Sequence, residues 1–143
     1  MGKLIGIDLG MKRTGIAVTD ELQIIASPLE TVQTGELLKF LDTMVKSDNI
    51  EGIIIGEPRY LDGSASDMTR NVQLLKAELE KKLPGLPIEQ EDDKFTSKMA
   101  MDALIQTGAG KKKRTDKSIL DKMSASLILQ SYLERRNLQK DRL

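Results

Sequence analysis

The chain has no cysteine, no histidine and no tryptophan, and only four aromatic residues, two Phe and two Tyr. Without cysteine there is neither a disulfide framework nor a thiolate zinc site. Without histidine, Ser-His-Asp and Cys-His catalysis, histidine general bases and histidine-ligated metals are all excluded. Any catalysis must rest on carboxylates, hydroxyls, lysine or arginine, with a hard cation held by oxygen ligands as the natural complement. No apolar run approaches the ~18 residues of a membrane span, and no signal-type N-terminus is present, which fits a soluble cytoplasmic protein without a membrane partner.

What is present is a chain of 143 residues. At about 150 residues a chain buries roughly 68–70% of its unfolded surface, so residues 1–143 are expected to form one domain. A formal net charge of zero hides an asymmetry: residues 1–107 hold 12 Lys and Arg against 18 Asp and Glu, whereas residues 108–143 hold 10 against 4. Lys111, Lys112, Lys113, Arg114 and Lys117 supply half of the basic residues of that last segment. Such a run neutralises phosphates or forms a solvated loop.

Alternation and turn signals predict strands at Leu4–Leu9, Thr14–Thr19 and Ile24–Val32, the first two joined by a hairpin at Gly10–Arg13. Helical spacing follows from Thr34, an expected N-cap, to Asp48. A short strand at Ile53–Ile55 precedes the loop GEPRYLDG, and a helix spans Ala65–Leu83 before Pro84-Gly85 stops it. A polar fifth strand is expected at Pro87–Asp92, a helix from Thr96 or Ser97 to Thr107, a basic loop at Gly108–Lys117, and a last helix at Ser118–Arg136 with Ile119, Leu120, Met123, Leu127 and Ile128 on its apolar face. The order βββαβαβαα implies an α/β fold with a five-stranded mixed sheet and helices on both faces. In such sheets ligands bind where strand ends open a crevice.

Asp8 interrupts the apolar run Leu4, Ile5, Ile7, Leu9 in a strand that should be central and continuously hydrophobic. It either caps the hairpin by accepting N–H bonds from Gly10 or Met11, or ligates a cation at the crevice. Asp92 and Asp93 end the fifth strand and Asp121 opens the last helix. Singly these read equally well as a loop-entry pair and as a helix-dipole partner. Together, on a central strand, a neighbouring strand end and a crossing helix, such carboxylates can converge on one or two Mg²⁺ ions.

The segments GIDLGMKRTGIAVTD, SPLETV, GEPRYLDG, EDDKFTS and LDKMSASLILQSYL, in this order and over nearly the whole chain, resemble the YqgF-type family. These are Holliday-junction-resolvase-like proteins with an RNase H-like fold, to which pre-16S rRNA nuclease activity is ascribed. The resemblance implies a nuclease using Mg²⁺ or Mn²⁺ on three acidic ligands, which map onto Asp8, Asp93 and Asp121. Asp93 stands where the family has Glu, and Lys94 where it has Arg. The shorter acid reaches less far, and Lys lacks the planar fork of Arg. Lys12 and Arg13 at the hairpin tip, with Lys94 and the 111–114 run, would contact phosphates. Gly56, Pro58 and Gly63 match the family's strand-loop motif, and Thr96 and Ser97 either orient Asp93 or cap a helix.

Hydrolysis of structured RNA, with the 5′ end of pre-16S rRNA as substrate, is therefore the leading expectation, and junction DNA is the alternative substrate. A rival keeps the fold but binds ATP, since Asp-x-Gly before a second strand also opens the actin, Hsp70 and sugar-kinase nucleotide site. Another is a non-catalytic RNA or ribosome-assembly module, recognising RNA mainly by charge because Phe40, Tyr60, Phe95 and Tyr132 are its only aromatic residues.

Overall fold

The computed structural model describes residues 2–58, 68–93 and 116–141. Strands β1 (Lys3–Asp8), β2 (Arg13–Thr19) and β3 (Ala26–Gln33) run in succession, followed by a 3₁₀ turn at Thr34–Glu36 and helix α1 (Leu37–Ser47). Then come β4 (Ile50–Pro58), helix α2 (Thr69–Lys82), β5 (Ile88–Asp93) and a long helix, α3 (Lys117–Asp141). The sheet order is β3-β2-β1-β4-β5, so β1 is central. It pairs antiparallel with β2 and parallel with β4, and β5 continues the parallel half.

Period-2 alternation divides the sheet between two cores. Ile5, Ile7, Ile16, Ile53, Ile55 and Ile88 face Leu37, Leu41, Val72 and Leu79 of α1 and α2. Leu4, Ala17 and Ile54 face Ala125, Leu129, Tyr132 and Leu133 of α3. The expected mixed sheet with helices on both faces is therefore the observed one. On the second face α3 approaches unusually closely. A Cβ added at Gly6 would stand 2.8 Å from the Leu129 Cβ, a separation that packed side chains do not tolerate.

Several local expectations give way to tertiary contacts. Thr34 is not an N-cap: its hydroxyl donates to the Gly10 carbonyl at 2.7 Å and bonds the Thr14 hydroxyl at 2.9 Å. Helix α1 accordingly starts later, at Leu37, without a side-chain cap. Strand β3 begins at Ala26, because Asp20 binds the Ile24 and Ile25 N–H groups at 2.8 and 2.9 Å and holds both isoleucines outside the sheet. Strand β4 extends on both sides of Ile53–Ile55.

The buried stripe of α3 runs through Ala125, Ile128, Leu129, Tyr132 and Leu133. Ile119, Leu120, Met123 and Leu127, expected there, are only half-buried, while Ile128 meets the expectation. At Asp121 the backbone of α3 seats on Gly15 of β2, so the buried stripe begins only at Ala125. Asp116, placed in the preceding loop by the sequence, caps α3: its carboxylate accepts from the Ser118 N–H at 2.9 Å and the Ser118 hydroxyl at 2.8 Å. These bonds hold the Asp116 carboxyl below the usual carboxylate range. The expected helix at 96–107, the loop residues 59–67 and the basic residues 108–115 lie outside the described residues.

Candidate functional site

The candidate site forms where β1 ends beneath the start of α3. Asp8 is the last residue of β1 and shares the parity of Leu4 and Gly6, which places it on the α3 face. Its partner across the antiparallel ladder is Gly15. A Cβ at Gly15 would stand 1.9 Å from the backbone carbonyl oxygen of Asp121 and 2.3 Å from its carbonyl carbon. Only glycine lets the helix backbone settle on β2 at that point. One missing side chain thus brings Asp121 beside the end of β1, although 113 positions separate it from Asp8 in the sequence.

Arg13 lies two residues before Gly15 on the same face, at the start of β2. Its Nε donates to Asp121 Oδ2 at 2.8 Å, with the Arg13 side chain 42% and the Asp121 side chain 27% exposed. The hairpin tip that carries Lys12 and Arg13 is anchored from below. The Thr34 N–H donates to the Lys12 carbonyl at 2.9 Å, in addition to the Thr34 hydroxyl bonds to Gly10 and Thr14. Thr31, on β3, donates its hydroxyl to the Ser118 carbonyl and so holds the first turn of α3 to the sheet edge.

The acidic run at the end of β5 sorts itself by parity and partners. Glu89 accepts from the Tyr132 hydroxyl and Glu91 from Arg135, so this parity faces α3. Glu91 is 6% exposed, and Arg135 Nε reaches both of its oxygens at 2.9 and 3.0 Å, which makes it a structural acid. Asp92 has the opposite parity, that of Ile88, and has interactions of its own. Asp93 ends the strand, paired in register with Pro58. Through β4, Ile7 aligns with Ile55 and Ile55 with Gln90, so Asp93 lies two residues beyond the level of Asp8 and two strands away. At about 4.8 Å per strand and 3.3 Å per residue, their Cα atoms are roughly 12 Å apart.

The structure therefore pairs Arg13 with Asp121, seats the Asp121 backbone on the strand beside Asp8 and sets the end of β5 at the same rim of the sheet. Lys12 is exposed at the hairpin tip and Gly56 is buried in β4. Lys94, Gly63, Thr96, Ser97, Lys111, Lys112, Lys113 and Arg114 lie outside the described residues. Sequence reasoning missed Gly15, Thr31 and Thr34 as the residues that position the site. A glycine inside an otherwise β-branched strand was the available signal for Gly15.

Residues 2–135 match the family described as RuvX: Holliday junction resolvase. The chain belongs to this family. A protein of Christiangramia forsetii is 47% identical over 133 residues, covering 93% of this chain and 98% of its own length. One of Bacteroides fragilis is 44% identical over 138 residues, covering 96% of this chain and 100% of its own. Both carry the name "Putative pre-16S rRNA nuclease". Among solved structures, a Fowlpox virus resolvase in complex with Holliday junction DNA matches with a TM-score of 0.59 at 12% identity, over 93% of this chain and 97% of its own. Thermus thermophilus RuvC matches with a TM-score of 0.53 at 14% identity, over 94% and 95%. The RuvX-family chain has the RNase H-like fold of these resolvases. No helix among its described residues is long and apolar enough to cross a membrane.

Proposed function

We propose that this RuvX-family chain is a nuclease that hydrolyses phosphodiester bonds in structured RNA, with the 5′ end of pre-16S rRNA as its substrate, at a site built from Asp8, Asp93 and Asp121. The observation that carries this reading is the close seat of Asp121 on Gly15, directly across the ladder from Asp8. Two acids on non-adjacent elements whose backbones meet at Gly15 are suited to share a cation, which would offset the repulsion between them. Arg13 already places one on Asp121. The donor set is all oxygen in a chain without histidine or cysteine, which suits Mg²⁺ or Mn²⁺.

Asp8, Asp121 and, from the end of β5, Asp93 would hold the metal. When bound, it supplies Lewis-acid activation of water and stabilisation of the leaving oxygen. The protein's own part is positioning. Asp8 is fixed by its place at the end of the central strand and Asp121 by the Gly15 contact. The hairpin tip, tied down through Thr34, presents Lys12 and Arg13 to the phosphates on either side of the scissile bond. The names of the relatives support RNA as substrate, and the family description supports branched DNA as the second reading.

The test is cleavage of a pre-16S 5′ leader and of a four-way DNA junction, in Mg²⁺ and in Mn²⁺, by wild type and by Asp8→Asn. Metal-dependent cleavage of the leader, lost by a hundredfold or more in the variant, is the expected result; loss of even an outer partner of a metal ligand costs about 10- to 100-fold. Equal activity of the two proteins removes the site, and cleavage confined to the junction moves the substrate to DNA. Salt-sensitive RNA binding without turnover would leave a binding module.

A further inference from the structure

Among the described residues, two arginine–carboxylate pairs lie on the α3 face, and they differ in kind. Arg135 covers both oxygens of a buried Glu91. Arg13 holds Asp121 through Oδ2 alone, with both side chains partly in solvent. We propose that Arg13 is an exchangeable counter-ion: it occupies Asp121 in the metal-free protein, and a divalent cation binding at Asp8 and Asp121 displaces it towards the substrate phosphates. This rests on the metal-site reading above and adds that the site is never left as bare negative charge. One arginine thereby makes phosphate binding conditional on metal loading.

The backbone on both sides of the pair is held in place, so the exchange is confined to side chains. Asp121 is held against Gly15, where its carbonyl leaves no room even for a methyl group, and the helix start is held by the Thr31 bond to Ser118. Arg13 is laddered to Gln33, and the carbonyl before it accepts from Thr34. Of the two side chains, Arg13 is the longer and more exposed, and among the described residues it can swing by breaking its bond to Asp121 alone. Freed, its planar fork of five donors matches a phosphate as well as it matches a carboxylate.

A pair this exposed is weak, so the competition it offers is modest: about two- to fivefold in metal affinity. That suits a placeholder, whereas Arg135 covers both oxygens of a Glu91 that is itself buried and leaves a cation little access to them.

The experiment is calorimetric titration of the full chain with MnCl₂, without RNA, for wild type, Arg13→Gln, Asp121→Asn and the double variant. Arg13→Gln is expected to bind Mn²⁺ about two- to fivefold tighter at low salt, with the gap closing towards 1 M KCl as screening removes the competition. Asp121→Asn should weaken binding and abolish the effect of adding Arg13→Gln. In parallel, the Arg13 Nε–H resonance, assigned by its loss in Arg13→Gln, should shift as MgCl₂ is added to the wild type. Equal or weaker Mn²⁺ affinity in Arg13→Gln overturns the exchange while leaving the metal site standing. Absence of Mn²⁺ binding in all four proteins overturns the metal reading and the exchange with it.

Discussion

The backbone carbonyl of Asp121 rests on Gly15 so closely that a methyl group at position 15 would lie 1.9 Å from its oxygen. The contact joins the start of α3 to the strand beside Asp8, and it places a proposed metal ligand by means of a residue that has no side chain.

Gly15→Ala is therefore the most disruptive small substitution available at the site. Neither strand nor helix backbone can yield locally, because β2 is laddered on both sides. The helix must lift. The expected loss is about 3 kcal/mol, a fall of roughly 10 °C in the thermal midpoint. Nucleolytic activity should fall further than stability, measured well below the midpoint, because Asp121 moves away from Asp8.

Thr34→Val keeps the shape of the side chain and removes its hydroxyl. The Gly10 carbonyl loses a donor and the fully buried Thr14 hydroxyl a partner. A cost of about 1–2 kcal/mol is expected from chemical denaturation. The hairpin tip also loosens, so RNA affinity should weaken about two- to fivefold as Lys12 and Arg13 must be ordered on binding.

Arg135→Ala separates a structural acid from the proposed ligands. It strands Glu91, which is 6% exposed, although the arginine is itself 45% exposed and water will replace part of the lost pairing. Destabilisation of about 1–3 kcal/mol is expected. Mn²⁺ affinity should stay within about twofold of wild type, since Glu91 is not among the ligands. A marked gain in Mn²⁺ affinity would move the β5 ligand from Asp93 to Glu91, because the variant frees that carboxylate of its competing cation.

Tyr132 gives the fold a signature at high pH. Burial, with its hydrogen bond to Glu89 as a further cause, pushes its hydroxyl from 10.0 up to about 12. A group raised in the folded state contributes its stability below its unfolded value and loses it as pH climbs through the folded one. The loss should fall between about pH 10 and 12. Ultraviolet absorbance of tyrosinate, compared between wild type and Tyr132→Phe, reads the titration directly. A Tyr132 titration near 10 would mean that in solution the hydroxyl is neither buried against the sheet nor bonded to Glu89.

Much of this protein is written locally. Hydrophobic runs with period 2 placed β1 and β2, helical spacing placed α1 and α2, and Asp8 stood out because a carboxylate in a central strand conflicts with its surroundings. The order of motifs sufficed to recognise the family. What the local pattern could not settle were choices between equivalent residues. Glu91, Asp92 and Asp93 read alike in a row, and Thr34 read as a helix cap because capping is its commonest local use. The apolar face of α3 was displaced because a short run of Leu, Ile and Met is compatible with more than one stripe.

The sequence by itself determined the described elements and their order, since propensity and periodicity act over a few residues, and its resemblance to a family singled out three acids. Only the tertiary structure decided that Glu91 belongs to Arg135, that Thr34 braces the hairpin, and that Arg13 meets Asp121 across 108 positions of chain. Those contacts depend on how a helix seats on a sheet, and the seat is set by where the sheet lacks side chains, which no local window reveals.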